Sequence, residues 1–125
     1  MITNFEEYIK THSFEPNVQP SIDYKTRYKD LAKQFKMLGN CYNNVNSVDI
    51  RDGFYELAGY LDTLSDMCVN PLVDAGELKE LKRVIFKELS GVLDDMEMLQ
   101  EAYPDEVTPR YIISCKIVLK EFAVW

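Results

Sequence analysis

Apolar residues recur at every third or fourth position along most of this sequence, and no stretch of useful length alternates with a period of two. That rhythm sets side chains on one face of an α-helix, so the fold class expected is all-α. Residues 23–38 carry Tyr24, Tyr28, Leu31, Phe35 and Leu38 on such a face. Residues 48–68 carry Ile50, Phe54, Leu57, Leu61, Leu64 and Cys68, and residues 75–103 carry a stripe from Leu78 and Leu81 through Ile85, Leu89, Val92, Met96 and Leu99 to Tyr103. The stretch 109–125 is different, because Ile112, Cys115, Leu119 and Phe122 make one stripe while Ile113, Ile117 and Val124 make another on roughly the opposite side. A helix that is apolar nearly all round is expected to be wrapped by its neighbours inside the monomer. The alternative is that Ile113, Ile117, Val124 and Trp125 form a docking or self-association surface, with a homodimer as its simplest product.

Local punctuation fixes where these helices start and stop. Thr3 with Glu6 makes a capping-box pattern for a short helix over 4–12, and Pro16 and Pro20 hold residues 13–22 as an extended connector. Gly39-Asn40 and Asn70-Pro71 end helices, Asp74 with Glu77 opens one, and Thr108-Pro109 places an N-cap before a proline at the first helical position. Short connections make consecutive helices antiparallel neighbours. The expected architecture is therefore a single domain over 1–125, an antiparallel bundle of four long helices with the short N-terminal helix packed across it.

Composition agrees with a packed core and narrows the setting. In 125 residues with 46% hydrophobic and 28% charged side chains, there is enough apolar surface to fold without a metal or disulfide staple. Three widely spaced cysteines, Cys41, Cys68 and Cys115, make neither a disulfide framework nor a CxxC motif, which points to a reducing, cytoplasmic setting. The first residues lack the cationic and apolar runs of a signal peptide, and no segment offers ~20 uncharged apolar residues, so no membrane association is expected. A net charge of -7 disfavours direct nucleic-acid binding, which draws its affinity from neutralising phosphates.

The chemistry of catalysis is thinly provided for. One histidine, His12, cannot supply a ligand cluster, and the Glu-x-x-His motifs of di-iron bundles are missing. Cys68 and Cys115 fall on apolar stripes and read as buried small hydrophobes. Scattered glycines draw neither a P-loop nor a dinucleotide fingerprint. No metal, no cofactor and no enzymatic activity are expected.

Charge layout offers more. On the polar face of 75–103, Lys79, Lys82, Arg83 and Lys87 come early and Asp94, Glu97 and Glu101 come late, which opposes the helix dipole. Local stability did not select this order. From Glu88 to Glu106 there are seven acids and no lysine or arginine. A carboxylate ribbon of this kind can imitate a nucleic-acid backbone and occupy a basic groove on another protein; the alternative is a solvated face that keeps the chain soluble. Tyr55, opposite the apolar stripe of 48–68 and near Asp62 and Asp66, adds interface-type residues, with Tyr42 as a second such tyrosine. Lys25, Lys29, Lys33 and Lys36 form a basic ribbon on 23–38 that suits packing beside the acidic half of the long helix or plain solvation, with an RNA or an acidic protein as the alternatives.

The function expected from these features is non-enzymatic binding to a larger protein, by Asp94, Glu97, Glu101, Tyr55, Asp62 and Asp66. That partner presents a basic, nucleic-acid-handling site, and the chain acts as a stoichiometric inhibitor or regulator. Phage- or plasmid-borne anti-defence and immunity proteins share this size, acidity and lack of catalytic groups, a likeness of class alone. The alternatives are an adaptor subunit docking through the last helix and an RNA-binding accessory protein using the lysine ribbon.

Overall fold

A computed structural model describes residues 23–42, 45–104 and 109–123, and every regular element among them is helical. Four α-helices follow one another: α1 (Tyr24–Gly39), α2 (Val48–Met67), α3 (Ala75–Ala102) and α4 (Pro109–Glu121), with a single 3-10 turn at Val45–Ser47 leading into α2. They correspond to the four long helices expected, within a residue at most boundaries. The short helix over 4–12 and the connector 13–22 lie outside the described residues.

Asp23 caps α1 by accepting from the Thr26 backbone N–H at 3.3 Å and the Thr26 hydroxyl at 2.8 Å. Those two bonds favour the charged form and hold the Asp23 carboxyl below its ordinary value. Asp74 caps α3 in the same way, accepting from the Glu77 N–H at 2.9 Å. Both caps satisfy donors that the helix itself leaves open.

Gly39 does not end α1 by turning left-handed, since no glycine among the described residues has positive φ. It is the last helical residue, and its value is its missing side chain. A Cβ there would come within 2.7 Å of the Tyr55 ring and 3.2 Å of the Arg51 carbonyl oxygen. Gly53 does the same at the next seam, where a Cβ would meet Val92 Cγ2 at 2.5 Å. Glycine lets α2 approach α1 on one flank and α3 on the other.

Side-chain pairs show how the helices run. The buried Ser65 hydroxyl of α2 donates to the Lys25 carbonyl of α1 at 2.8 Å, and Tyr55, ten residues earlier on α2, donates its hydroxyl to Asn40 at the other end of α1. Those two helices are antiparallel. Gly53 meets Val92 between α2 and α3, Lys116 meets Glu97 between α3 and α4, and each helix packs on the next. The end of α4 returns to the start of α1 through an ion pair, Arg27 with Glu121, and through the Tyr28 and Phe122 rings, 5.9 Å apart.

The core is drawn mostly from the expected stripes, with Val118, Leu93, Ala32, Ala58 and Tyr42 added from outside them. Leu31, Phe35 and Leu38 from α1, Phe54, Leu57, Leu61 and Leu64 from α2, Ile85, Leu89 and Met96 from α3, and Cys115, Val118 and Phe122 from α4 are almost wholly inaccessible. The stripes fray at their ends. Cys68, expected in the core, is exposed at the cap of α2, because the helix stops at Met67 and the chain turns away there. Leu78 and Leu81 are only partly covered and Tyr103 is exposed, because α3 at 28 residues spans ~42 Å and outruns the 20-residue α2 beside it. The last helix was expected to reach 125, but it closes at Glu121 with turn bonds from Phe122 to Leu119 and from Ala123 to Lys120.

Candidate interaction surface

Helical rotation divides the acidic stretch of α3 instead of gathering it into one ribbon. Residues three or four apart share a flank, so Glu88 and Asp95 sit with Gly91 and Val92 on the side facing α2. On α2, Asp49, Asp52 and Glu56 share a flank with Gly53 by the same spacing. These eight residues enclose an open cleft of about 300 Å³ between the two helices, and no lysine or arginine is among the described residues lining it.

The close Gly53–Val92 contact is what brings the carboxylates together. Burial and then the neighbouring Glu56 push the Glu88 carboxyl above its ordinary value, and burial, followed by Asp49 and Asp94, does the same to Asp95. Partly screened from water and crowded by like charge, both groups hold protons more tightly than they would in the unfolded chain. A cation entering from outside would offset the like-charge crowding.

The residues expected to bind a partner fall in three separate places. Asp94 is exposed near the rim of the cleft, and its charge acts on Asp95. Glu97 lies on the other flank of α3, where it accepts from the Lys116 ammonium of α4 at 3.2 Å, and Glu101 is exposed one turn further on. Tyr55, Asp62 and Asp66 are on the α1 side of α2. Tyr55 keeps 39% of its surface, but its ring covers Gly39 and its hydroxyl is bonded to Asn40. Asp62 and Asp66 bracket the Lys29 ammonium at 3.5 and 3.6 Å. The lysine ribbon therefore meets acids of α2 at Lys29, and not the acidic half of the long helix as expected, because α1 packs on α2.

Tyr42 is not an interface tyrosine. It is buried, its ring lies 5.9 Å from Phe54, and burial pushes its hydroxyl well above the ordinary range. The Cys41, Cys68 and Cys115 thiols are all pushed upward by burial, which lowers the fraction present as reactive thiolate. Among the described residues no group of three or more histidine, cysteine or acidic side chains is arranged to hold a metal ion, and no helix is long and apolar enough to cross a membrane.

The two stripes of α4 separate as their geometry requires. Ile112, Cys115 and Phe122 are in the core, with Leu119 packed against it. Ile117 is half-buried and packs against the core, but Ile113 keeps 59% of its surface, so the expected enclosure within the monomer fails at Ile113. The reason is that α4 rests on α3 and, through Glu121 and Phe122, on α1, so its side facing away from the core is uncovered. Val124 and Trp125 lie outside the described residues.

Sequence reasoning passed over the cleft, although its signal is present. Asp49, Asp52 and Glu56 around Gly53, and Glu88 and Asp95 around Gly91, repeat at intervals of three and four on two helices expected to be neighbours. Comparison with protein-family models, with curated proteins and with solved structures finds no match.

Proposed function

We propose that the four helices close as an antiparallel bundle whose role is to bind a larger protein without catalysis, as a stoichiometric inhibitor or regulator. The contact is the carboxylate cleft between α2 and α3. Its partner carries lysine or arginine side chains on a basic surface of the kind that handles nucleic acid. The observation that supports this reading is the charge of the cleft: five carboxylates with Glu88 and Asp95 both pushed up by burial and by their acidic neighbours. A bound cation replaces repulsion by attraction and supplies the hydrogen-bond donors that desolvated carboxylates need.

Such binding has a proton signature. A cation in the cleft lowers the carboxyl values, so a lysine-rich peptide titrated at about pH 5 releases protons, seen as a binding heat that changes with the ionisation enthalpy of the buffer. Affinity falls as salt rises. The Glu56→Gln, Glu88→Gln, Asp95→Asn triple variant is expected to bind the peptide at least about tenfold more weakly and to capture less of any basic protein partner. Equal binding by parent and triple variant, both folded by circular dichroism, would remove the cleft from the contact.

A further inference from the structure

The uncovered side of α4 lies beside a strip of opposite charge. Ile113 is flanked by Lys116 and Lys120, both exposed, while the adjoining edge of α3 carries Asp94, Glu97, Glu101 and a Met98 that keeps 68% of its surface. The 3.2 Å pair between Lys116 and Glu97 fixes the register of these antiparallel helices. Moving one turn in opposite directions from that pair brings Lys120 level with Asp94 and Ile113 level with Glu101. One face thus holds a basic strip and an acidic strip side by side, each with a large exposed apolar residue.

We infer that this face docks a second copy of the chain. A two-fold axis running along the groove between α3 and α4 lays α4 of each copy over α3 of the other. Lys120 of one copy then meets Asp94 of the second, Lys116 reaches Glu97 across the axis as well as within its own chain, and Ile113, level with Glu101, is covered by α3 of the second copy. The symmetry satisfies both charge strips with one kind of partner, whereas a foreign chain would have to reproduce an acidic and a basic strip in the same order. Exposed Ile113 and Met98 supply apolar area beside the charged pairs, of the kind that interfaces bury. Asp94 also neighbours the cleft between α2 and α3, but Ile113 and Lys120 do not line it, so Ile113→Asp and Lys120→Glu test this inference apart from the function proposed above.

Sedimentation of the parent at about 100 μM is expected to give twice the 14.6 kDa chain mass, with dissociation favoured by high salt. Ile113→Asp is expected to give a monomer with unchanged far-UV circular dichroism, since Ile113 contributes little to the core. Asp94→Lys and Lys120→Glu should each weaken the dimer about tenfold or more, and the two together should restore it by exchanging the charges across the axis. A parent that stays at 14.6 kDa, a folded Ile113→Asp variant that remains a dimer, or a double variant no better than the singles would overturn the inference.

Discussion

The α1–α2 hairpin and the α3–α4 hairpin are built from similar stripes and end up with different tasks. In the first, a missing side chain at Gly39, a buried hydroxyl at Ser65 and the Lys29 ion pairs lock the helices along their whole shared length. Its apolar residues Leu31, Phe35, Leu57, Leu61 and Leu64 are sealed from solvent. In the second, the first turns of α3 are only half covered, and Met98, Tyr103 and Ile113 are exposed. Packing quality is thus distributed unevenly, with stability concentrated in one hairpin and accessible surface in the other.

The largest expected difference is between equivalent leucines. Leu61→Ala removes a fully buried side chain from α2 and is expected to cost about 2–5 kcal/mol in denaturant unfolding, whereas Leu78→Ala, on the overhanging start of α3, is expected to cost below about 1 kcal/mol. Equal losses would mean that the two hairpins are equally well packed.

Glycines sharpen the contrast at smaller amplitude. Gly53→Ala drives a methyl into Val92, a stiff β-branched neighbour, and is expected to destabilise by about 1–3 kcal/mol. At Gly59, on the same helix, nothing lies within 4 Å of a new Cβ, so Gly59→Ala is expected to stabilise by about 0.5–1 kcal/mol. Opposite shifts in the thermal midpoint check both.

The smallest effect concerns the cleft. Glu88 and Asp95 have folded values raised above 4.5 and 3.8, so the folded chain binds their protons more tightly than the unfolded chain does. Their stabilising contribution is complete below those ordinary values and is lost as pH rises through the raised ones. A Glu88→Gln, Asp95→Asn variant is therefore expected to be slightly more stable than the parent at pH 7, with the advantage fading towards about pH 4. An advantage that persists at low pH would rule out carboxylate crowding as its cause.

The helical fold was legible because period and breakers agreed within each of the four helices, and the cap at Asp74 is a local matter of three residues; the cap at Asp23 was missed, since residue 23 reads as the first residue of the helix. What depends on rotation between neighbours was harder to read. Counting acids along α3 merges flanks that point to different helices, so Glu88 and Asp95 were grouped with Glu97 although α2 faces the first two and α4 the last. Arg27 was passed over too, though it lies one turn from Tyr24 and from Leu31, on the apolar stripe, where a charge needs a buried answer. Its partner Glu121 is 94 residues away, and no local pattern joins them.

That separation matters for how the chain acquires its structure during synthesis. The first hairpin can assemble from contacts near in sequence as soon as α2 has emerged, but Arg27 and Tyr28 must wait for the final helical turn to supply Glu121 and Phe122. Until then the Tyr28 ring lacks the Phe122 ring it packs beside, and Arg27 lacks its carboxylate at position 121. Once α4 docks, the carboxylate it brings is itself desolvated, which pushes Glu121 above its ordinary value while Arg27 draws it back. One short turn of chain, 94 residues away in sequence, thus anchors the first helix, and a truncation before residue 121 would remove both of its contacts, Glu121 and Phe122, at once.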